Sequence, residues 1–303
     1  MTRIFRLLLI WGAMFAVVEA RAAEFGVVVV AHGVAWGTWN QEVESRMAEL
    51  RLPWPMEVSF LSSQDGNTIQ RAFDRLAAAG VRKVVVVPLL VSSHSSHVDE
   101  IRYYLGLAPK PAEEHITTPP VRTALPVRMT HAIDYHQLIS AEFCRRASAI
   151  SENRSRETVL LVGHGPNEED NNRLWLAAFE RYAGDLKGAC GFHEARGLTV
   201  RDDASEAVQA EAREILRKAA SDAASDGTAL VLPFLIGSGG VAHNIARRLE
   251  GIPFRISREG LIHGDALKEW VTATAAEAVS EWSLAEVARR NGVAELSGAV
   301  QPR

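Results

Sequence analysis

Along the chain, unbroken apolar runs alternate with segments whose apolar residues recur every three or four positions. GVVVVA at 26–31 is β-branched and continuous, the mark of a strand buried on both faces. Residues 39–51 take helical spacing, and MEVSFL at 56–61 predicts a second strand. IQRAFDRLAAAG at 69–80 predicts an amphipathic helix closed by Gly80, and KVVVVPLLV at 83–91 a third strand. VDEIRYYLGL at 98–107 predicts a short helix, VRTALPV at 121–127 a fourth strand after Pro119-Pro120, and HQLISAEFCRRASAI at 136–150 a long helix. This order of strands and helices predicts an α/β fold with a parallel sheet covered by helices.

The pattern then starts again. ETVLLVGHG at 157–165 mirrors FGVVVVAHG at 25–33, and TALVLPFLIG at 228–237 mirrors KVVVVPLLVS at 83–92. Between them, LWLAAFERYAG at 174–184 and EAVQAEAREILRKAASDAA at 206–224 are helical, and NIARRLEGIPFRIS at 244–257 repeats a helix followed by a strand. A final helix begins near Asp265. Spacing agrees as well as order: Asn40 stands eight residues after His32, and Asn172 eight after His164. These matches predict an internal duplication of about 130 residues. The expected division is a domain at 23–150, a polar linker near 151–156, a second domain at 157–280 and a C-terminal tail at 281–303.

Residues 1–22 are expected to stand apart. Arg3 and Arg6 precede LLLIWGAMFAVV, and Ala20-Arg21-Ala22 follows, which is the charge, length and exit chemistry of a secretory signal peptide. Its 12-residue apolar core is short for a bilayer span. The expectation is an exported chain starting near Ala23, periplasmic in a Gram-negative host, with no stable membrane span after cleavage. Cys144 and Cys190 lie 46 positions apart and are read as core residues, with a disulfide between them as the alternative. A hydrophobic content of 47% allows a sizeable core, and a net charge of −4 without a basic stripe argues against nucleic acid.

Chemistry gathers where strands end. In open parallel sheets, ligands bind beyond the carboxyl ends of the strands. His32 ends the first strand, and His94 and His97 stand among Ser92, Ser93, Ser95 and Ser96 after the third. Imidazole binds transition metals and serves as a base near neutral pH, and neighbouring serines can orient such rings. A lone histidine at a strand end is more often structural; convergence on one rim argues for function. Neither GxxxxGK[ST] nor a strand-following GxGxxG is present, so no nucleotide is expected. Gly237-Ser238-Gly239-Gly240 opens a helix and could hold a carboxylate on its backbone N–H groups, or be a plain tight turn. His115, His131 and His136 read as solvated or capping residues, and His193 and His263 show no partner. Trp36, Trp39 and Trp175 follow the two His-Gly turns and could line a flat apolar ligand, although helix packing is the plainer account.

These residues together resemble the type II tetrapyrrole chelatases, in particular the sirohydrochlorin cobaltochelatase (CbiX-type) family. The likeness rests on a strand ending in His-Gly, an Asn eight residues on, a strand ending PLLV with a histidine beyond it, and LPFLIGSGGVAHNIARRLEGI at 232–252. It implies two flavodoxin-like α/β domains with a cleft between them. It also implies insertion of a divalent metal, cobalt first and nickel or iron as alternatives, into a sirohydrochlorin-like tetrapyrrole without ATP. His32 and His97 then carry the chemistry as metal ligand and base, with His94 as a rival for the second position. His164, Ser92, Ser93, Gly239 and Gly240 face the substrate. Arg102 and Arg173 are candidates to hold its carboxylates, with a solvated helix face the plainer reading. The second half lacks a histidine aligned with His97, since Val241 or Ala242 stands there. An exported tetrapyrrole or metal carrier without turnover is the alternative function. A monomer or a homodimer is compatible with a chain that already contains both domains.

Overall fold

Continuous runs of valine in the first sheet, and of leucine and valine in the second, build the centre of each because both of their faces are covered. The computed structural model describes residues 23–65, 68–112, 116–237 and 240–290, and the expected signal peptide lies outside them. The first half runs β1 (Phe25–Gly33), α1 (Trp39–Met47), β2 (Met56–Ser62), α2 (Thr68–Ala78), β3 (Lys83–Leu89), α3 (Ser96–Tyr104), β4 (Val127–Met129) and α4 (Gln137–Ile150). The second runs β5 (Glu157–Gly163), α5 (Glu169–Gly188), β6 (Glu194–Thr199), α6 (Glu206–Asp226), β7 (Thr228–Phe234), α7 (Gly240–Arg248), β8 (Phe254–Ile256) and α8 (Ala266–Arg290). The two sheets are ordered β2-β1-β3-β4 and β6-β5-β7-β8, and all their pairings are parallel. The two halves therefore share one topology.

Two elements differ from expectation. The fourth strand forms at Val127–Met129, not 121–127, and pairs with Val84–Val86. Pro126 has no N–H to give a ladder, so it contributes its carbonyl to the Val84 N–H and the strand starts after it. Strand β6 was not expected from the pattern, because Arg196 is exposed and Gly197 carries no side chain. Gly197 is needed where it stands: a Cβ there would strike Phe179 on α5.

Period-two alternation divides each central strand between two cores. Val28, Val30, Val84 and Val86 face α2 and α3 on the outside of the first sheet, with Ile69, Phe73, Val98 and Ile101. Leu160, Val162, Ala229 and Val231 do the same under α6 and α7. The other faces share one core, in which Val27, Val29, Val85 and Val87 meet the same cluster as Val159, Leu161, Leu230 and Leu232. Helices α1, α4, α5 and α8 supply the rest of it, with Met47, Phe143, Phe179 and Trp270 among its members.

The two halves exchange helices. Helix α4 closes the first half in sequence but packs on β7, while α8 closes the second half and packs on β3. Residues 281–290, expected as tail, continue α8, and Trp282 is buried edge-on against Phe25. Lys83 at the start of β3 pairs with Glu286. The linker near 151–156 is also tied down: the Glu157 carboxylate accepts from Ser151 Oγ and from the backbone N–H groups of Glu152 and Asn153. Cys144 on α4 and Cys190 after α5 form a disulfide, with Cα atoms 5.9 Å apart. This corrects the reading of the two cysteines as separate core residues. The exchange sets α4 beside α5, a proximity that positions 46 apart in sequence do not reveal. Among the described residues, no helix is long and apolar enough to cross a membrane.

Candidate functional site

His32 sits one residue before the end of β1, and the turn beyond it accepts only glycine. Gly33 has φ +74, and a Cβ there would run into the Ser62 carbonyl. Gly165, after His164, has φ +76, with Thr199 in the same obstructing place. The loop after His32 is then pinned by Asn40, whose Oδ1 accepts from Val34 N–H at 2.8 Å and whose Nδ2 donates to the Val34 carbonyl at 3.0 Å. Asn172 accepts from Thr199 Oγ1. Asn40 thus staples its loop, while Asn172 ties α5 to the end of β6.

After β3 the chain reaches His97 through a second fixed loop. Ser95 caps α3, its Oγ accepting from His97 N–H. Ser92 and Ser93 are buried, and their hydroxyls donate to Asp134 at 3.1 and 2.6 Å. Ser93 N–H also donates to Asp134, and Ser93 Oγ accepts from Ala132 N–H. These contacts hold the loop on the segment before α4. The second half adds a clamp of its own, since Trp175 Nε1 on α5 donates to the His94 carbonyl at 3.0 Å. Reciprocally, Trp39 on α1 packs its ring on Gly237 in the loop after β7. Each half thus steadies the other half's post-strand loop with an indole.

The result is an imidazole pair. The rings of His32 and His97 lie 4.3 Å apart, inclined at 62°. His32 Nδ1 is 2.7 Å from the Gly33 carbonyl; a carbonyl only accepts, so Nδ1 carries the proton. His97 Nδ1 is 3.4 Å from Glu100 Oε2. A neutral His32 ring therefore keeps its lone pair on Nε2. Loss of hydration holds the His32 pKa below the ordinary imidazole value, although the ring has solvent on one side. His97 and, further off, His164 add repulsion, while the Gly33 carbonyl and Glu100 oppose it. His32 is thus neutral at pH 7, which is the form a base or a metal ligand needs.

His164 occupies the matching place at the end of β5, with Nδ1 donating to the Gly165 carbonyl at 2.9 Å and Nε2 3.4 Å from Asp203. His94 is exposed, and no ring contact joins it to His32 among the described residues. Gly239 lies outside the described residues, and Gly240 opens α7 at the surface. Arg102 pairs with Asp99 and Arg173 with Asp170, both on exposed helix faces. His136 caps α4, as expected; His263, which showed no partner in the sequence, lies 3.6 Å from Glu42. Among the described residues, no group of three or more His, Cys, Asp or Glu is arranged to enclose a metal ion. Two imidazoles without further ligands suit a metal in transit better than one in residence.

One expected result follows from the ring pair. His97→Asn removes a repulsive neighbour of His32, so the acid limb of any rate that needs neutral His32 should rise towards pH 6.5 from a lower wild-type value. A pH–rate profile of the two proteins checks the direction, and a limb that moves down would exclude His32 as the titrating group.

Comparison with known proteins agrees with this geometry. Residues 26–150 match the CbiX family model. SirB from Bacillus subtilis, solved with Fe3+, superposes with a TM-score of 0.61 at 18% identity, over 84% of this chain and 95% of that one. DR2241 from Deinococcus radiodurans, a multi-domain protein with structural similarity to chelatases and two additional novel domains, gives 0.56 at 18% identity. That match spans 84% of this chain and 55% of the other. The likeness to these structures is one of fold. No curated protein sequence matches.

Proposed function

We propose that this chain, whose residues 26–150 match the CbiX family model, inserts a divalent metal ion into a sirohydrochlorin-like tetrapyrrole without ATP. The observation that carries the reading is the His32–His97 pair, two rings 4.3 Å apart, each with its Nδ1 beside an oxygen of its own segment. Metal insertion must remove two pyrrole N–H protons and strip water from the incoming ion. One imidazole can take a pyrrole proton while the other holds the metal ion and passes it on. The low pKa of His32 suits it to begin the cycle unprotonated. His164 lies near enough to oppose charge on His32, and we place it on the substrate side of the cleft.

Cobalt is the proposed metal. Iron belongs in the same assay, since SirB, of the same fold, was solved with Fe3+. Export is also proposed, supported by the N-terminal sequence and by the Cys144–Cys190 disulfide, which suits an oxidising compartment. The test is visible absorbance of protein from Ala23 onward, mixed with sirohydrochlorin and Co2+ or Fe2+. Many turnovers per protein support the chelatase. A spectral change that saturates at one equivalent replaces it with the carrier.

A further inference from the structure

Nδ1 of His97 lies beside a carboxylate that the proposed reaction does not use. Glu100 stands three residues after His97 on the same face of α3 and is 5% exposed. Its helix neighbours Val98, Ile101 and Tyr104 are part of the outer apolar core. A carboxylate is rarely buried without partners, because the loss of hydration has to be offset. Tyr104 supplies one partner, its hydroxyl donating to Glu100 Oε1 at 2.9 Å. Burial, then the nearby Glu100 charge, pushes the Tyr104 pKa up to about 12, so this hydroxyl keeps its proton and donates. With Oε1 so engaged, Oε2 is turned towards His97, 3.4 Å from Nδ1. The backbone of the loop is already fixed by Asp134 and Trp175, and those contacts leave the rotation and tautomer of the His97 ring to be set by something else.

We propose that Glu100 is a positioning residue, braced by Tyr104, that holds His97 in its Nδ1–H form with Nε2 turned to the cleft. The inference deepens the chelatase reading, and its kinetic arm rests on that reading. Carboxylates behind metal-binding histidines act in this way generally, and their loss typically lowers affinity or activity about 10- to 100-fold.

The test combines nitrogen NMR of the imidazoles at pH 8, with His97→Ala to identify the signals, and steady-state kinetics. Wild type should show His97 as the Nδ1–H tautomer. Glu100→Gln should keep that signature, because an amide oxygen still accepts the proton. Glu100→Leu should lose it and lower kcat about 10- to 100-fold, while KM for the tetrapyrrole moves less than about twofold. A wild-type tautomer and kcat in Glu100→Leu would overturn the proposal. If that variant does not fold, Tyr104→Phe takes its place: a partial tautomer shift with reduced kcat supports the proposal, and an unmoved signature and rate overturn it. A wild type without turnover whose tautomer is still lost in Glu100→Leu would keep the positioning role and remove the chelatase reading.

Discussion

His32→Ala and His97→Ala should each lower the rate of metal insertion by about 10²–10⁴-fold, the range lost when a positioned proton-transfer group is removed. His32 is exposed and His97 half-buried, so thermal unfolding should move little. The double variant should be hardly slower than the worse single one, because rings 4.3 Å apart act on one substrate as a unit. His94→Ala provides the contrast. Its ring is exposed and its backbone carbonyl already engaged, so its rate should stay within about twofold of wild type. A His94→Ala rate as low as that of His97→Ala would reverse the assignment of the two histidines.

The second large effect concerns stability. Replacing Cys144 and Cys190 together by alanine should cost about 4 kcal/mol, from the chain entropy released when a 46-residue closure is lost. For a protein of this size that is roughly a 5–10 °C fall in Tm. Scanning calorimetry with and without reductant checks it: reductant should lower the wild type and leave the double variant unmoved. Equal melting of both proteins without reductant would show that the crosslink adds nothing. The imidazole pair is remote in sequence from both cysteines, so insertion rates below the transition should be unchanged.

Much of this protein is legible in its sequence, because its strongest signals are local. Four valine- or leucine-rich runs are buried on both faces and predict the central strands β1, β3, β5 and β7. The His-Gly turns are legible because a left-handed backbone close against the neighbouring strand leaves no other residue. What stays hidden depends on contacts between distant segments. Glu194 and Arg196 mask β6, whose place is set by its pairing with β5 rather than by its own pattern. Ser92 and Ser93 look free beside a histidine, but Asp134, about 40 residues on, takes both hydroxyls. Glu100 reads as an ordinary polar position in a helix until Tyr104 and His97 are seen to close on it.

The exchange of α4 and α8 also fixes the order in which the chain can become native. Emerging from its N-terminus, the first sheet has α2 and α3 for one face, but the cover for β3 on the other face is the last helix made, beginning at Ala266. Val85 and Val87 must wait for about 180 residues before Val271 and Ala275 join their cluster. Such distant closure slows folding. A slow-maturing chain remains threadable for a long time, which suits a polypeptide carried across a membrane before it folds. It also means that an early stop anywhere before α8 leaves a sticky valine surface for chaperones and proteases to find.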